Sequence, residues 1–282
     1  MKVVPFKDAA ALMERCKKWL FENEALNNGL IGTLDLLIAG SSVYTKPFWL
    51  GAVENDGNIV GVAVHAKPDG LVTTRIPIAA LDDLLQAIDE AIGAPHRILA
   101  PKAVAGVLAV KWAERSKLRQ ELQVVWNVYM LRSLAPPARP VAGSLRLGDD
   151  NDRDIVRDWG RIYGEEVPAP VDVTEFMLRK LRRKELFLWE DNGPTTLVTL
   201  SGFTDHGVRV SSVFTPVEFR GRGYASAAVA AVCSRQFEQE MSFVTLVAVD
   251  GDPAERIYQR LGFEKIGSRA CYNIVPLMHE MK

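Results

Sequence analysis

The sequence predicts an α/β fold: a mixed, mostly antiparallel sheet flanked by helices, arranged as two tandem α/β domains. Three observations carry this. Short β-branched runs alternate with longer stretches of helical spacing along the whole chain. A proline-rich stretch, Leu134-Ala-Pro-Pro-Ala-Arg-Pro-Val-Ala-Gly143, interrupts the chain near its middle and reads as a semi-rigid connector. Residues Val208 to Glu240 then give a strand, a basic glycine loop and a helix in succession. The expected division is therefore a first domain over 1–134, a linker over 135–143 and a second domain over 144–282.

The stretch from Val208 organises the rest. Val208, Val210 and Val213-Phe214 form an apolar β-branched run, with Gly207 before it and Pro216 after it. Arg220, Gly221, Arg222 and Gly223 come next, and Tyr224 to Glu240 is alanine-rich with no Gly or Pro. The first turn of a helix leaves backbone N–H groups without internal partners, and its dipole adds positive potential there. Glycines before it let several N–H groups point at one anion. This is a phosphate-binding arrangement. The alternative is an ordinary strand–helix turn with solvated arginines. A nucleotide-triphosphate loop needs Gly-Lys-Ser/Thr, which is absent. Gly221-x-Gly223-x-x-Ser226 fits the dinucleotide pattern more closely, with Asp250 as the ribose acid. Against it, Thr215 to Arg220 separate the strand from the glycines.

Arg220-x-x-Gly223-x-Ala225, after a strand ending Val-Phe-Thr-Pro, resembles the acyl-CoA loop of the GNAT (Gcn5-related) N-acetyltransferases. Downstream, a strand over Thr245–Val249 precedes Asp252-Pro-Ala-Glu-Arg-Ile-Tyr258-Gln-Arg-Leu-Gly262-Phe263, which is similar to that family's closing motif. The resemblance covers roughly Ser144 to Lys282. It implies acetyl-CoA as cosubstrate and direct attack of a primary amine, on a small molecule or peptide, upon the thioester. It also implies that Val213, Phe214 and Thr215 offer backbone groups to the pantetheine arm. Gly221, Gly223, Tyr224, Ala225 and Ser226 would cradle the pyrophosphate, with Arg220 and Arg222 beside it. Tyr258 would be the general acid toward the departing sulfur; the bland alternative is a packed core aromatic.

The family often carries a carboxylate on the central strand, where this chain has Arg209, Ser211 and Ser212. Glu165, Glu166, Glu190 and Asp250 are the candidate bases, with a water relay as another route. Asp252-Pro253 stands where the family often has Asn.

In order, the first domain is read as a helix over Phe6–Phe21, a break at Asn27-Asn28-Gly29, and an apolar Leu30–Ala39, helix or strand. A hairpin comes next, Phe48–Glu54 and Ile59–His65 about Asn55-Asp56-Gly57, with Asp-Gly supplying positive φ. Then come a strand over Leu71–Ile76, a helix over Leu81–Ile92, a strand over Arg97–Ala100, a helix over Val104–Arg115 and a strand over Leu122–Leu131. This order echoes that of the second half, but the position of the glycine loop reads Arg75-Ile-Pro-Ile-Ala-Ala80, without glycine. The half is either a second copy that lost its phosphate grip or an unrelated α/β domain. In the second domain, a strand over Ser144–Leu147 leads to a helix capped by Asp150 or Asn151 and ending at Tyr163. A break at Pro168-Ala-Pro170, a helix over Val173–Lys184 and a hairpin Leu186–Glu190/Thr195–Phe203 precede the central strand. After the long helix come Val244–Val249, a helix over Pro253–Arg260, and two strands near Glu264–Ile266 and Ala270–Val275.

Composition bounds the function. The chain has 282 residues, 48% apolar and 24% charged, and a net charge of −1, so nothing polybasic draws it to nucleic acid or membrane. Cys16, Cys233 and Cys271 are scattered, as are His65, His96, His206 and His279, so no metal is expected. No signal-length apolar core or membrane span is present, and the expected location is the cytoplasm. Oligomeric state stays open. The first reading is an acetyl-CoA-dependent N-acetyltransferase. A non-catalytic acyl-CoA-binding sensor or scaffold is the second, and a nucleotide-dependent oxidoreductase the third.

Overall fold

The structure, a computed structural model, describes residues 1–93, 95–136, 140–167 and 172–276. The expected break at Pro168-Ala-Pro170, part of the proline-rich connector and His279 lie outside the described residues.

The chain runs β1 (Lys2–Pro5), α1 (Ala9–Phe21), α2 (Glu24–Ile38), β2 (Thr45–Asn55), β3 (Asn58–Lys67), β4 (Gly70–Thr73), α3 (Leu81–Ile92), β5 (Arg97–Pro101), α4 (Lys102–Ser116) and β6 (Leu118–Leu131). It continues with β7 (Ser144–Leu147), α5 (Arg153–Glu166), α6 (Val173–Arg182), β8 (Leu186–Glu190), β9 (Pro194–Ser201), β10 (Gly207–Phe214), α7 (Tyr224–Glu238), β11 (Phe243–Val249), α8 (Ala254–Arg260) and β12 (Glu264–Pro276). One succession therefore occurs twice: strand, two helices, three strands, helix, strand, helix, strand.

Two compact units result, one of Met1–Asn127 with the chain from Gly267 onward, the other of Val128–Ile266. This division departs from the expected cut at 135–143. The cut assumed that each domain is continuous in sequence. Instead the last strand of each half runs from one unit into the other. Arg269 to Asn273 of β12 pair antiparallel with Pro101 to Arg97 of β5 in the first unit.

In the first unit, β1, β2, β3 and β4 pair antiparallel in turn, and β4 pairs parallel with β5 over Leu71–Val72 and Ile98–Leu99. Side chains alternate across the sheet. Leu50, Ala52, Val62 and Val64 pack on α1 and α2 through Leu12, Cys16, Leu20, Ile31 and Leu34. Trp49, Val53, Leu71 and Ile98 pack on α3 and α4 through Leu84, Ile88, Leu108 and Trp112. Where β4 and β5 part, Arg269 of β12 donates from Nη2 to the carbonyls of Thr73 (2.9 Å) and Leu99 (3.2 Å).

The Asp-Gly hairpin forms as expected, Asp56 and Gly57 having φ of 50° and 78°. Other local expectations do not hold. Lys2–Pro5 is a strand, and its helix starts at Ala9, where Asp8 accepts from the Ala11 N–H and caps it. Asn27-Asn28-Gly29 lies inside α2, because Asn27 is buried and donates from Nδ2 to the Leu20 carbonyl at the end of α1. The cap of the turn before α5 is Asp149, in a reciprocal box with Asp152. β12 is one strand where two were expected.

His65 lies opposite Trp49 and Leu71 in the apolar face, 4% exposed, and neither ring nitrogen has a hydrogen-bond partner. Burial, then His96 and Lys67, lowers its pKa from 6.5 to about 4. The folded form thus binds fewer protons than the unfolded chain between these values. Stability is expected to be complete above pH 6.5 and to fall as pH drops toward 4, by on the order of 3 kcal/mol from this group. Urea midpoints across pH 4–7 measure it. His65→Leu should flatten that slope, and an unchanged slope would remove His65 as its source.

In the second unit, β7, β8, β9 and β10 pair antiparallel in turn, and β10 pairs parallel with β11. Phe187, Val198, Val208, Val210 and Leu246 face α7 and α8. Leu186, Leu188, Leu197 and Phe214 face α5 and α6. Among the described residues, no helix is long and apolar enough to cross a membrane, and no cluster of His, Cys, Asp or Glu could hold a metal ion.

Candidate functional site

The site is built where β10 leaves β11. Their parallel register covers Gly207–Arg209 against Phe243–Thr245. Both strands then continue, to Phe214 and Val249. A fork opens, and Val247 on its β11 side is exposed. Part of the cause lies on the other edge of β10. Against β9 the register shifts between Val210 and Val213, so Ser211 and Ser212 oppose the single Thr199. A bulge of this kind bends the strand and re-aims its far end. Thr199 Oγ1 accepts from the Ser212 N–H at 3.0 Å, so the bulged amide stays satisfied.

Past the fork the chain makes a tight turn over Val217–Phe219 and enters the glycine loop. Gly221 and Gly223 have φ of 78° and 91°. A side chain would be strained at either, and at Gly223 its Cβ would also lie 3.1 Å from Val141 Cγ2. Gly223 is the N-cap of α7, whose first turn no side chain caps. The first helical bond runs from the Ala227 N–H to the Gly223 carbonyl. The N–H groups of Tyr224, Ala225 and Ser226 precede it, free of intrahelical acceptors and at the positive end of the dipole.

The other expected residues take varied places. Phe214 is buried, with the rings of Trp159 and Tyr163 edge-on at 5.8 and 5.9 Å. Val213 is half-buried against the α7 side. Thr215 Oγ1 shares a 2.8 Å hydrogen bond with Thr196 Oγ1. Arg220 is turned toward protein: Nε donates to the Thr215 carbonyl, and Nη2 to both carboxylate oxygens of Glu166, each at 2.9 Å. The exposed Arg222 lies over the Phe219 ring, 5.9 Å from its centre. Tyr224 is buried and donates its hydroxyl to Asp191 in the β8–β9 turn, and this carboxylate is the first cause of its raised phenol pKa.

Tyr258 on α8 is 9% exposed, edge-on to Phe263 at 6.0 Å. Burial, then the charges of Tyr163 and Asp252, holds its phenol well above the usual tyrosine value. Tyr163 is raised to about 12 by burial, then Asp252 and Glu166, with a backbone hydrogen bond at Val213 partly offsetting this. Two tyrosines from opposite faces of the sheet thus come within electrostatic reach of each other beside the end of β10. Sequence reasoning missed Tyr163 as a member of this group, and noted Asp252 only as standing at the position of a family Asn. The signal for Tyr163 was present, since Trp159 and Tyr163 are four apart and share a helix face.

The candidate bases are engaged elsewhere. Glu165 pairs with Arg161 at 3.1 Å, Glu166 with Arg220, and Glu190 with Arg146 at 2.8 Å. Asp250 lies within electrostatic reach of Tyr129. Arg209 Nε donates to Ser201 Oγ at 3.3 Å, and Ser201 and Ser211 share a short hydrogen bond.

Residues 202–273, from the turn before β10 into β12, match the FR47-like protein family. No curated protein matches the chain. Among solved structures, the chain is similar to a Drosophila protein at 15% identity and TM-score 0.66, over 97% of this chain and 98% of that one. It is similar to a GNAT-family acetyltransferase from Colwellia psychrerythraea at 11% identity and TM-score 0.59, over 98% and 100%. A tandem GNAT protein from the clavulanic acid biosynthesis pathway aligns at 12% identity and TM-score 0.52, over 99% of each chain. At such identities what is shared is the fold. A forked β10–β11 pair, a glycine loop, an uncapped α7 and these likenesses together give this chain the α/β fold of the GNAT superfamily.

Proposed function

We propose that the protein is an acetyl-CoA-dependent N-acetyltransferase that acetylates a primary amine of a small molecule or peptide by direct attack. One observation carries this: the β10–β11 fork opens beside a positive-φ glycine loop and the first turn of α7, whose three leading N–H groups have no intrahelical acceptor. A thin amide-bearing arm suits the fork, where the end of β10 can bond it as an added strand. A diphosphate suits the helix end. The bound thioester supplies an acyl carbon, to which the amine nitrogen bonds as the C–S bond breaks. Tyr258 gives its phenolic proton to the departing sulfur, and the amine loses a proton to water. Backbone N–H groups at the end of β10 are the donors for the transient oxyanion.

Calorimetric titration with acetyl-CoA, then thiol release across a panel of primary amines, tests the proposal. Binding with amine-dependent thiol release supports it; absence of binding ends it. A second reading, a non-catalytic acyl-CoA sensor, draws on the missing strand carboxylate and the ion-paired state of Glu165, Glu166 and Glu190. It predicts binding without thiol release.

The first unit is proposed to be a second copy without the grip. The repeated order of elements supports this. Its loop has no glycine, Asp82 and Asp83 sit in the first turn of α3, and Arg269 occupies the carbonyls at its fork. The expected stoichiometry is one acetyl-CoA per chain. Two would overturn this part of the proposal while leaving the second unit's role intact.

A further inference from the structure

Glu166 ends α5, the wrong end of a helix for a carboxylate, since the dipole there is negative. Local sequence gives it no reason to be acidic. Its partner is 54 residues away: Arg220, at the entrance of the glycine loop, meets both its oxygens at 2.9 Å. The same guanidinium holds the Thr215 carbonyl through Nε. One turn earlier on α5, the Tyr163 ring lies against Phe214. The last turn of α5 is thus fastened on both sides of the junction where β10 becomes the loop. The direction of this guanidinium is thus set by protein partners, through Nε and Nη2.

We infer that Glu166 is a positioning residue for the acyl-carrier loop, acting through Arg220. The inference rests on the proposed acetyl-CoA site. Arg220 bridges Glu166 and the Thr215 carbonyl, and so fixes the path of the chain from Phe214 to Gly221. That path aims the N–H groups of the loop. The pair is half-exposed, so its fixed-charge value alone is small. Its weight comes from one nitrogen, Nη2, reaching both oxygens of the carboxylate while Nε holds the carbonyl, which together constrain direction.

The sign of one measurement separates this from simple electrostatics. Removing an acid near a diphosphate should tighten binding if Arg220 is a phosphate ligand freed by the change. If Glu166 positions the loop, Glu166→Gln should weaken acetyl-CoA binding instead, by about tenfold, the loss of one charge-assisted contact. Arg220→Gln should weaken it similarly, and the double variant should be no worse than either single, because both act through one bridge. In kinetics the loss should appear in KM for acetyl-CoA more than in kcat. Melting temperatures of all three variants check that the fold is kept, and Arg220→Lys, which keeps charge but not the fork geometry, should recover little. Tighter or unchanged binding in Glu166→Gln overturns the inference, as does an additive double variant. Failure of the wild-type protein to bind acetyl-CoA overturns the proposed function, and this inference with it.

Discussion

Gly223→Glu is expected to lower acetyl-CoA affinity at least about 100-fold, the combined cost of positive-φ strain and like-charge repulsion at an anion site. Gly223 has a φ of 91°, and a Cβ there would stand 3.1 Å from Val141 Cγ2. An L residue must either strain or move the loop off the end of α7. The added carboxylate would sit where three N–H groups and the helix dipole favour an anion, and would compete for it. Gly221→Ala separates the two causes. Its φ is 78°, but a Cβ there meets open space, so only backbone strain is added. It should weaken binding less than Gly223→Glu does. Titration calorimetry on both variants, with melting temperatures as a control for folding, reads the result. Undiminished affinity in a folded Gly223→Glu protein would place the diphosphate elsewhere.

Tyr258→Phe is expected to reduce kcat by about 100-fold while leaving KM for acetyl-CoA near its wild-type value, the loss of one general acid. The substitution keeps the ring, so the edge-on contact with Phe263 and the packing of α8 survive. Only the hydroxyl goes. Burial and the neighbouring Tyr163 and Asp252 hold the phenol protonated far into the alkaline range. Wild-type kcat should therefore show no decline from Tyr258 ionisation below about pH 10, the ordinary tyrosine value, and the variant should be slow at every pH. Unaltered kcat would make Tyr258 a packing residue and nothing more.

Several features were readable from residue order because their causes are local. Asp56-Gly57 demands positive φ at both positions and so makes the hairpin. The strand–loop–helix of Val208 to Glu238 arises from β-branched residues, two glycines and an alanine-rich run. Other features depend on partners distant in sequence. Asn27-Asn28-Gly29 has the composition of a turn, yet it is helical because Asn27 finds the Leu20 carbonyl in a buried place. Arg220 reads in the sequence as a loop cation, and that its Nε and Nη2 meet the Thr215 carbonyl and Glu166 depends on a carboxylate 54 residues away.

By itself the sequence determined most of the elements and the glycine turn at Gly221 to Gly223 between β10 and α7, since dihedral preference and side-chain periodicity act over a few residues. Tertiary structure alone decided that β12 pairs with β5, that Ser211 and Ser212 bulge against Thr199, that β10 and β11 part after Arg209, and that Tyr163 faces Phe214. Each of these is a choice of hydrogen-bond or packing partner between segments far apart in the chain. No local preference encodes that choice, because it is settled only when the sheets and their cores close.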